Sequence, residues 1–147
     1  MTTPQSEPVR FGWLLDQFIK SVTGTRYALV VSADGLLMAM SSNLDRTSGD
    51  QLGAIVAGLS SLSRGAAQHM GCGPVQQSII EMQQGFLFLM NISQGAVLAI
   101  SADPDCDVGL VGYEMALMVS RTESGLTPQL IAEMRGQLPT SGPAKAE

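Results

Sequence analysis

The hydrophobic pattern is most regular from Ser48 to Met70, and it predicts a long central helix. Large apolar side chains recur there at three- and four-residue steps, which places them on one side of a helix. A second stripe of uniformly small residues runs beside it at four-residue steps: Gly49, Gly53, Ala57, Ser61 and Gly65. Glycine inside a helix costs about 1 kcal/mol relative to alanine, so this stripe needs a packing reason.

We interpret the apolar stripe as the face toward the chain's own core. The small stripe then faces a second subunit, because small residues let another backbone approach closely. The alternative is that both stripes are buried within a single domain. Ser48 is the expected N-cap of this helix, with Gln51 completing a capping box.

Short apolar segments on either side of the central helix predict strands. The stretch from Tyr27 to Met40 contains Asp34-Gly35, a strong turn signal, and predicts a β-hairpin. Three more strands are predicted at 75–82, 86–92 and 96–101, and further helices at 9–23, 107–122 and 127–138. Several strands are apolar on both faces, so the sheet needs helices above and below it. The expected fold is therefore α+β: a three-layer α/β/α sandwich around a five-stranded antiparallel sheet.

The domain organisation follows from the ends of this pattern. Residues 1–8 are polar and are expected to form a disordered arm. Residues 9–138 are expected to form one domain with a short C-terminal helical extension, since 147 residues suit a single core. Residues 139–147 are rich in proline, glycine and alanine and are expected to be a flexible tail.

The strand predicted at 75–82 mixes polar and apolar residues, as strands at a sheet margin do. Glu81 is its only charge, whereas an edge strand normally carries more protection against unwanted pairing. The strand directly follows the central helix, so both are expected to contribute to one dimer interface. The interface residues expected on the strand are Gln76, Ser78 and Ile80, which join Gly53, Ala57, Ser61 and Gly65 of the helix.

Composition narrows the choice of partner. The net charge of −5 disfavours nucleic acid and anionic lipid, which both require a basic surface. Only 14% of the residues are charged, and the mean hydropathy is +0.20, so part of the surface is expected to be covered by a partner. No apolar run is long enough to cross a membrane, and the N-terminus lacks the apolar core of a signal peptide. A cytoplasmic protein without direct membrane insertion is expected.

The sequence contains few residues that could form a catalytic, nucleotide-binding or metal site. There is no phosphate-binding loop of the glycine-lysine-serine type, so nucleotide hydrolysis is not expected. His69 and Cys72 have the spacing of half a metal site, but the chain contains one histidine and two cysteines, too few for a closed zinc site. The acidic cluster at 103–107 suits a helix N-terminus better than a calcium site. No catalytic residue, metal or cofactor is therefore expected.

Several segments together resemble one known family. They are Leu29-Val30-Val31-Ser32-Ala33-Asp34-Gly35-Leu36, the helix around Gln51–Leu59, Ile79-Ile80-Glu81-Met82, Ala96–Ile100 and Val108–Met115. Their order and spacing resemble the roadblock family of dynein-light-chain-like domains, in particular stand-alone bacterial members of the actinobacterial type. The resemblance covers roughly residues 9–120, and it does not extend to 127–138.

The resemblance implies a homodimer that joins through the central helix and the strand after it. It also implies a non-catalytic role, since family members bind and regulate small Ras-like GTPases. Genes of the actinobacterial type commonly lie beside those of a sensor-kinase-like protein and a small GTP-binding protein, which are the implied partners. Arg64 and Gln68 fall off the apolar stripe late in the helix and are the expected partner contacts. The alternative function is a small-ligand-binding sensory domain of profilin-like architecture.

Overall fold

A computed structural model describes residues 7–92 and 95–122 of the chain. Within these two ranges, three helices and five strands follow one another in nearly the predicted order. They are α1 (Glu7–Ser21), β1 (Thr25–Ser32), β2 (Leu37–Met40), α2 (Arg46–Met70), β3 (Ser78–Met82), β4 (Gly85–Ile92), β5 (Ala96–Ala102) and α3 (Val108–Thr122). Residues 1–6 of the predicted arm, residues 93–94 of a predicted turn, the predicted extension at 127–138 and the predicted tail at 139–147 lie outside the described residues.

The five strands form one sheet in the order β2-β1-β5-β4-β3. All four neighbouring pairs are antiparallel, and β5 lies at the centre, with Leu98 opposite Val30 of β1 and Ile100 opposite Phe88 of β4. Every residue of β5 is buried, as expected for a strand that is covered on both faces. The five-stranded antiparallel sheet is thus confirmed, and β3 lies at the sheet edge where its mixed pattern placed it.

The helices cover the two faces of the sheet unequally. On one face, α1 and α3 bury a cluster that includes Leu15, Phe88 and Met115. On the other face, α2 alone covers a smaller cluster that includes Val31, Val56 and Val97. Side chains alternate between the two clusters along β1, β4 and β5, which is why strands apolar on both faces need two helical layers. The three-layer α/β/α sandwich is confirmed.

The central helix begins and ends with capping interactions. Its N-cap is Asp45, whose side chain accepts a hydrogen bond from the Ser48 backbone N–H at 3.3 Å, so the Ser48 cap expected from sequence is corrected. Hydrogen bonds from Ser48, its side chain first and then its backbone, hold the pKa of the Asp45 carboxyl below its ordinary value. At the other end Gly71 adopts a left-handed conformation, and its N–H and that of Cys72 bond back to the last turn.

The starts of α1 and β3 also differ from the expectation. The first helix begins at Glu7, so the last residues of the predicted arm are helical. The strand β3 begins at Ser78 rather than at residue 75, because the chain from Gly71 onward first has to leave the end of α2. No described helix is both long enough and apolar enough to cross a membrane.

Gly85, the first residue of β4, lies where a side chain does not fit. An added Cβ would lie 2.8 Å from the Ala102 carbonyl oxygen and 3.2 Å from Nη1 of Arg26. The carbonyl belongs to the central strand and cannot move aside, so Gly85→Ala is expected to destabilise the fold by about 1–3 kcal/mol. Urea denaturation followed by circular dichroism measures the change. The matched control is Gly109→Ala, where the nearest atom would lie at 3.6 Å; equal midpoints for both variants would contradict the prediction.

Candidate interaction surface

One side of α2 lies against the chain's own sheet, and this side carries the first members of the small stripe. A Cβ added at Gly53 would lie 3.0 Å from Val31 Cγ1 and 3.3 Å from the Gly35 carbonyl oxygen. A Cβ added at Gly49 would lie 2.9 Å from Leu37 Cδ2. Glycine at these positions therefore lets the helix approach β1, β2 and the turn between them.

The side of α2 that faces the sheet also includes Ala57 and Ser60. Ala57 is buried, and Ser60 donates a hydrogen bond to Oδ1 of Asn91 on β4 at 3.1 Å. Gly53 and Ala57 thus lie against β1 and the turn that follows it, although they were expected to face a second subunit. The physical reason is the close approach of helix and sheet, which large side chains would prevent.

The large apolar residues of α2 are mostly not in the core, which corrects their expected role. Val56 is fully buried, but Ile55 is 55% exposed, Leu62 74% and Met70 69%. Leu52 and Leu59 are half-buried and pack against the cluster that α2 covers. We call these large side chains, with Ala66, the apolar flank of α2: Leu52, Ile55, Leu59, Leu62, Ala66 and Met70.

The apolar flank borders a part of the sheet that α2 covers incompletely. Leu87 of β4 and Ile80 of β3 lie opposite each other on this face, and both are half-buried at the margin of the cluster beneath α2. We call the surface that consists of the apolar flank, Leu87 and Ile80 the apolar step. Large exposed apolar surfaces of this kind mark contact sites, since an isolated chain gains nothing by leaving them in water.

Beside the apolar step, β3 is an edge strand of the sheet that the described strands form. Ser78 and Ile80 are half-buried on it, and Gln76 is exposed just before it. Gln77 holds this segment in place, because its Nε2 donates a 3.3 Å hydrogen bond to the Gly112 carbonyl oxygen of α3. Ile80 on this open edge packs against the same cluster as Leu52 and Leu59 of the apolar flank.

The last turns of α2 extend beyond the sheet. Ser60 is the last buried residue of the helix, so residues 61–70 form an overhang about 15 Å long. Ser61 and Gly65 are exposed on it, and a Cβ at Gly65 would meet no atom within 4 Å. Arg64 and Gln68 are exposed as well. At 100° per residue these four side chains span an arc of about 100° on the flank opposite the apolar one.

The groups that were considered for chemistry lie apart or have structural partners. Asp103 pairs with Arg26, whose Nε lies 2.6 Å from Oδ1, and Asp107 accepts a bond from the Leu110 N–H in the first turn of α3. Burial, and then the carboxylates of the acidic cluster, raise the pKa of the Cys106 thiol. His69 and Cys72 are exposed at the end of α2. In the part of the chain described, no group of three or more His, Cys, Asp or Glu side chains could hold a metal ion.

The apolar flank was predicted from the sequence as a stripe, but it was expected to face the core. Ile55 and Leu62 were therefore missed as surface residues, and Leu87 was not singled out. The sequence did contain a sign that one stripe lies at the surface, because a helix of one domain seldom has both a stripe of large apolar residues and a stripe of small residues beside it. The distance between helix and sheet decides which stripe faces inward, and that distance is a tertiary property.

Known proteins share this architecture. A crystal structure of a Roadblock/LC7 domain from Streptomyces avermitilis is 33% identical in sequence to this chain. The match covers 78% of this chain and 95% of that one, with a TM-score of 0.74. Myxococcus xanthus MglB is 17% identical, covers 81% and 96% of the two chains and has a TM-score of 0.74. Acanthamoeba castellanii profilin IB is 14% identical, covers 76% and 94% and has a TM-score of 0.52, which reflects the shared fold alone.

Among curated proteins, none matches this chain. The model of the Roadblock/LC7 domain family, in contrast, matches residues 11–102, which run from α1 to the end of β5 and include all of α2 and the sheet. This match spans more than half of the chain and agrees with the Streptomyces structure. The chain therefore belongs to the Roadblock/LC7 domain family.

Proposed function

We propose that this protein is a homodimeric, non-catalytic regulator or scaffold for a small Ras-like GTPase, acting in the bacterial cytoplasm. The observation that carries the proposal is the apolar step beside the open edge of β3. Its members include Leu62, which is 74% exposed in the single chain. A surface of this composition needs a partner, and a second copy of the chain supplies the same apolar residues.

The shape of the step favours a twofold arrangement. When the α2 helix of one copy lies in the step of the other, the two apolar flanks face each other at the usual helix spacing of about 8–10 Å. The same surface serves both copies, as a closed twofold interface requires. The two β3 edges then lie on the same side of the assembly, where Ser78 and Ile80 of each copy can take part. An MglB structure 16% identical to this chain is described as having a tetrameric arrangement, which supports self-association in this fold.

The opposite flank of each α2 stays accessible in such a dimer. It carries Ser61, Arg64, Gly65 and Gln68 on the overhang, a smooth surface with one positive charge. Arginine is enriched among interface residues that contribute strongly to binding, and it pairs well with carboxylates. Family membership supports a small GTPase as the occupant of this flank, and the sensor-kinase-like protein of actinobacterial gene neighbourhoods is a second candidate partner.

The test uses the GTPase encoded beside the gene of this protein. Its affinity for the purified protein is measured with GTP bound and with GDP bound, and its hydrolysis rate is measured with and without the protein. We expect binding that depends on the nucleotide. An increased hydrolysis rate identifies an activator, and an unchanged rate identifies a scaffold. Absence of binding in both nucleotide states would contradict the proposed function.

Arg64→Ala is expected to weaken association with the GTPase by about 1–2 kcal/mol and to leave the dimer intact. The reason is that Arg64 lies on the overhang, exposed and away from the apolar flank. The matched control is Arg46→Ala, since Arg46 lies on the same helix but pairs with Asp50 in its first turns. Titration calorimetry with the GTPase measures both variants, and an equal loss for Arg46→Ala would argue against a specific role for Arg64.

A further inference from the structure

Residues 61–76, which begin with the overhang of α2, contain no buried residue. They are held in place at their two ends. Before them, Ser60 is buried and donates a hydrogen bond to Oδ1 of Asn91 on β4. After them, Gln77 donates a hydrogen bond to the Gly112 carbonyl oxygen of α3. Segments with few buried contacts open locally more easily than a core does, so the overhang is the part of α2 that the chain itself stabilises least.

The residues of the overhang add little helix stability of their own. Gly65 lies in its middle, and glycine there lowers the helix–coil equilibrium about fivefold relative to alanine. A Cβ at this position would meet no atom within 4 Å, so packing within the chain does not explain the glycine. None of the residues three or four positions from Arg64 is acidic, so no ion pair along the helix supports it. The cap at Gly71 stabilises the last turn but does not attach the overhang to the sheet.

The overhang carries residues of both contact surfaces of the proposed function. Leu62, Ala66 and Met70 belong to the apolar flank, which faces the second copy in the proposed dimer. Arg64 and Gln68 lie on the opposite flank, where the GTPase is proposed to bind. When a second copy covers the apolar side chains, their burial favours the helical form of the whole overhang, because both flanks share one backbone. Dimerisation therefore also fixes the flank that meets the GTPase.

We propose that the overhang exchanges between a helical and an open form in the monomer, and that dimerisation holds it helical and so completes the GTPase-binding flank. This coupling rests on the dimer of the proposed function and connects its two contact surfaces. A segment that the first partner has ordered costs the second partner less to bind. By linkage, a GTPase bound to the flank tightens the dimer by the same factor by which dimerisation tightens GTPase binding.

Amide hydrogen exchange, followed by mass spectrometry below and above the dimer dissociation constant, tests the coupling. In the monomer, residues 61–70 are expected to exchange at least about tenfold faster than residues 50–60 of the same helix. In the dimer, exchange at 61–70 is expected to slow at least about tenfold, while the buried strand Ala96–Ala102 changes little. Light scattering on the same samples reports the mass.

The outcomes separate this coupling from the proposed function. A dimer in which residues 61–70 exchange as slowly below the dissociation constant as above it would overturn the coupling and leave the proposed function standing. A chain that stays monomeric at every concentration would contradict both.

Two glycines of α2 provide a matched pair of variants. Gly58 and Gly65 are both exposed, and a Cβ added at either would meet no atom within 4 Å. Gly65→Ala favours the helical overhang, so it is expected to slow exchange at 61–70 in the monomer about three- to fivefold. It is also expected to lower the dissociation constant of the dimer at least about threefold, because less ordering remains for dimerisation to impose.

Gly58→Ala is the control, because Gly58 lies between buried Ala57 and Ser60, where the helix is already held on the sheet. It is expected to change neither the exchange at 61–70 nor the dissociation constant by more than about twofold. Equal effects of Gly58→Ala and Gly65→Ala on the dimer would overturn the proposal.

Discussion

Replacing Ala57 by glutamate is expected to destabilise the folded chain itself, by at least about 3 kcal/mol. Ala57 is 9% exposed, and a Cβ added at Gly35 would lie 3.7 Å from the Ala57 Cβ, so helix and turn are in close contact here. A glutamate side chain does not fit into this contact unless its neighbours move. It must either carry a buried charge or push α2 away from the sheet, and both cost stability.

Urea unfolding monitored by circular dichroism measures this loss. The matched control is Ala54→Glu, one turn earlier on the same helix, where the side chain is exposed and the change is expected to stay within about 0.5 kcal/mol. If Ala57→Glu instead kept its wild-type unfolding midpoint and only lost its partner subunit, the small stripe would be a contact between subunits after all.

Replacing Leu62 by aspartate is expected to have the opposite result: an intact fold and a lost dimer. The side chain is 74% exposed in the single chain, so a charge there costs the isolated monomer little. In the proposed dimer the same position lies between two apolar flanks, and the charge would be desolvated without a partner. The dissociation constant of the dimer is expected to rise at least about 100-fold, which corresponds to about 3 kcal/mol.

Size-exclusion chromatography with light scattering over a concentration series measures the change in dissociation constant. Leu62→Gln, which is polar but neutral, is expected to have a smaller effect than Leu62→Asp. Ala116→Asp carries the same charge on the opposite face of the sheet and is expected to remain dimeric. A wild-type mass for Leu62→Asp at low micromolar concentration would refute an interface through the apolar flank.

Much of the architecture was predictable because local patterns dictate it. The alternation of apolar residues and the turn at Asp34-Gly35 located β1 and β2, and the strands apolar on both faces required two helical layers. The mixed pattern of β3 placed it at the sheet edge. The start of α2 was misjudged by a few residues, since both Asp45 and Ser48 can cap a helix and only the folded backbone shows which side chain accepts the bond.

The sequence by itself therefore determined the order of the elements, the antiparallel sheet and the presence of two distinct stripes on α2. Which stripe faces the sheet was decided by the tertiary structure. Helical spacing sets the angle between the stripes, but it does not set how closely the helix approaches a sheet. Val31 and the turn at Gly35 lie so near to α2 that only small residues fit between them, and this close packing leaves Ile55 and Leu62 at the surface.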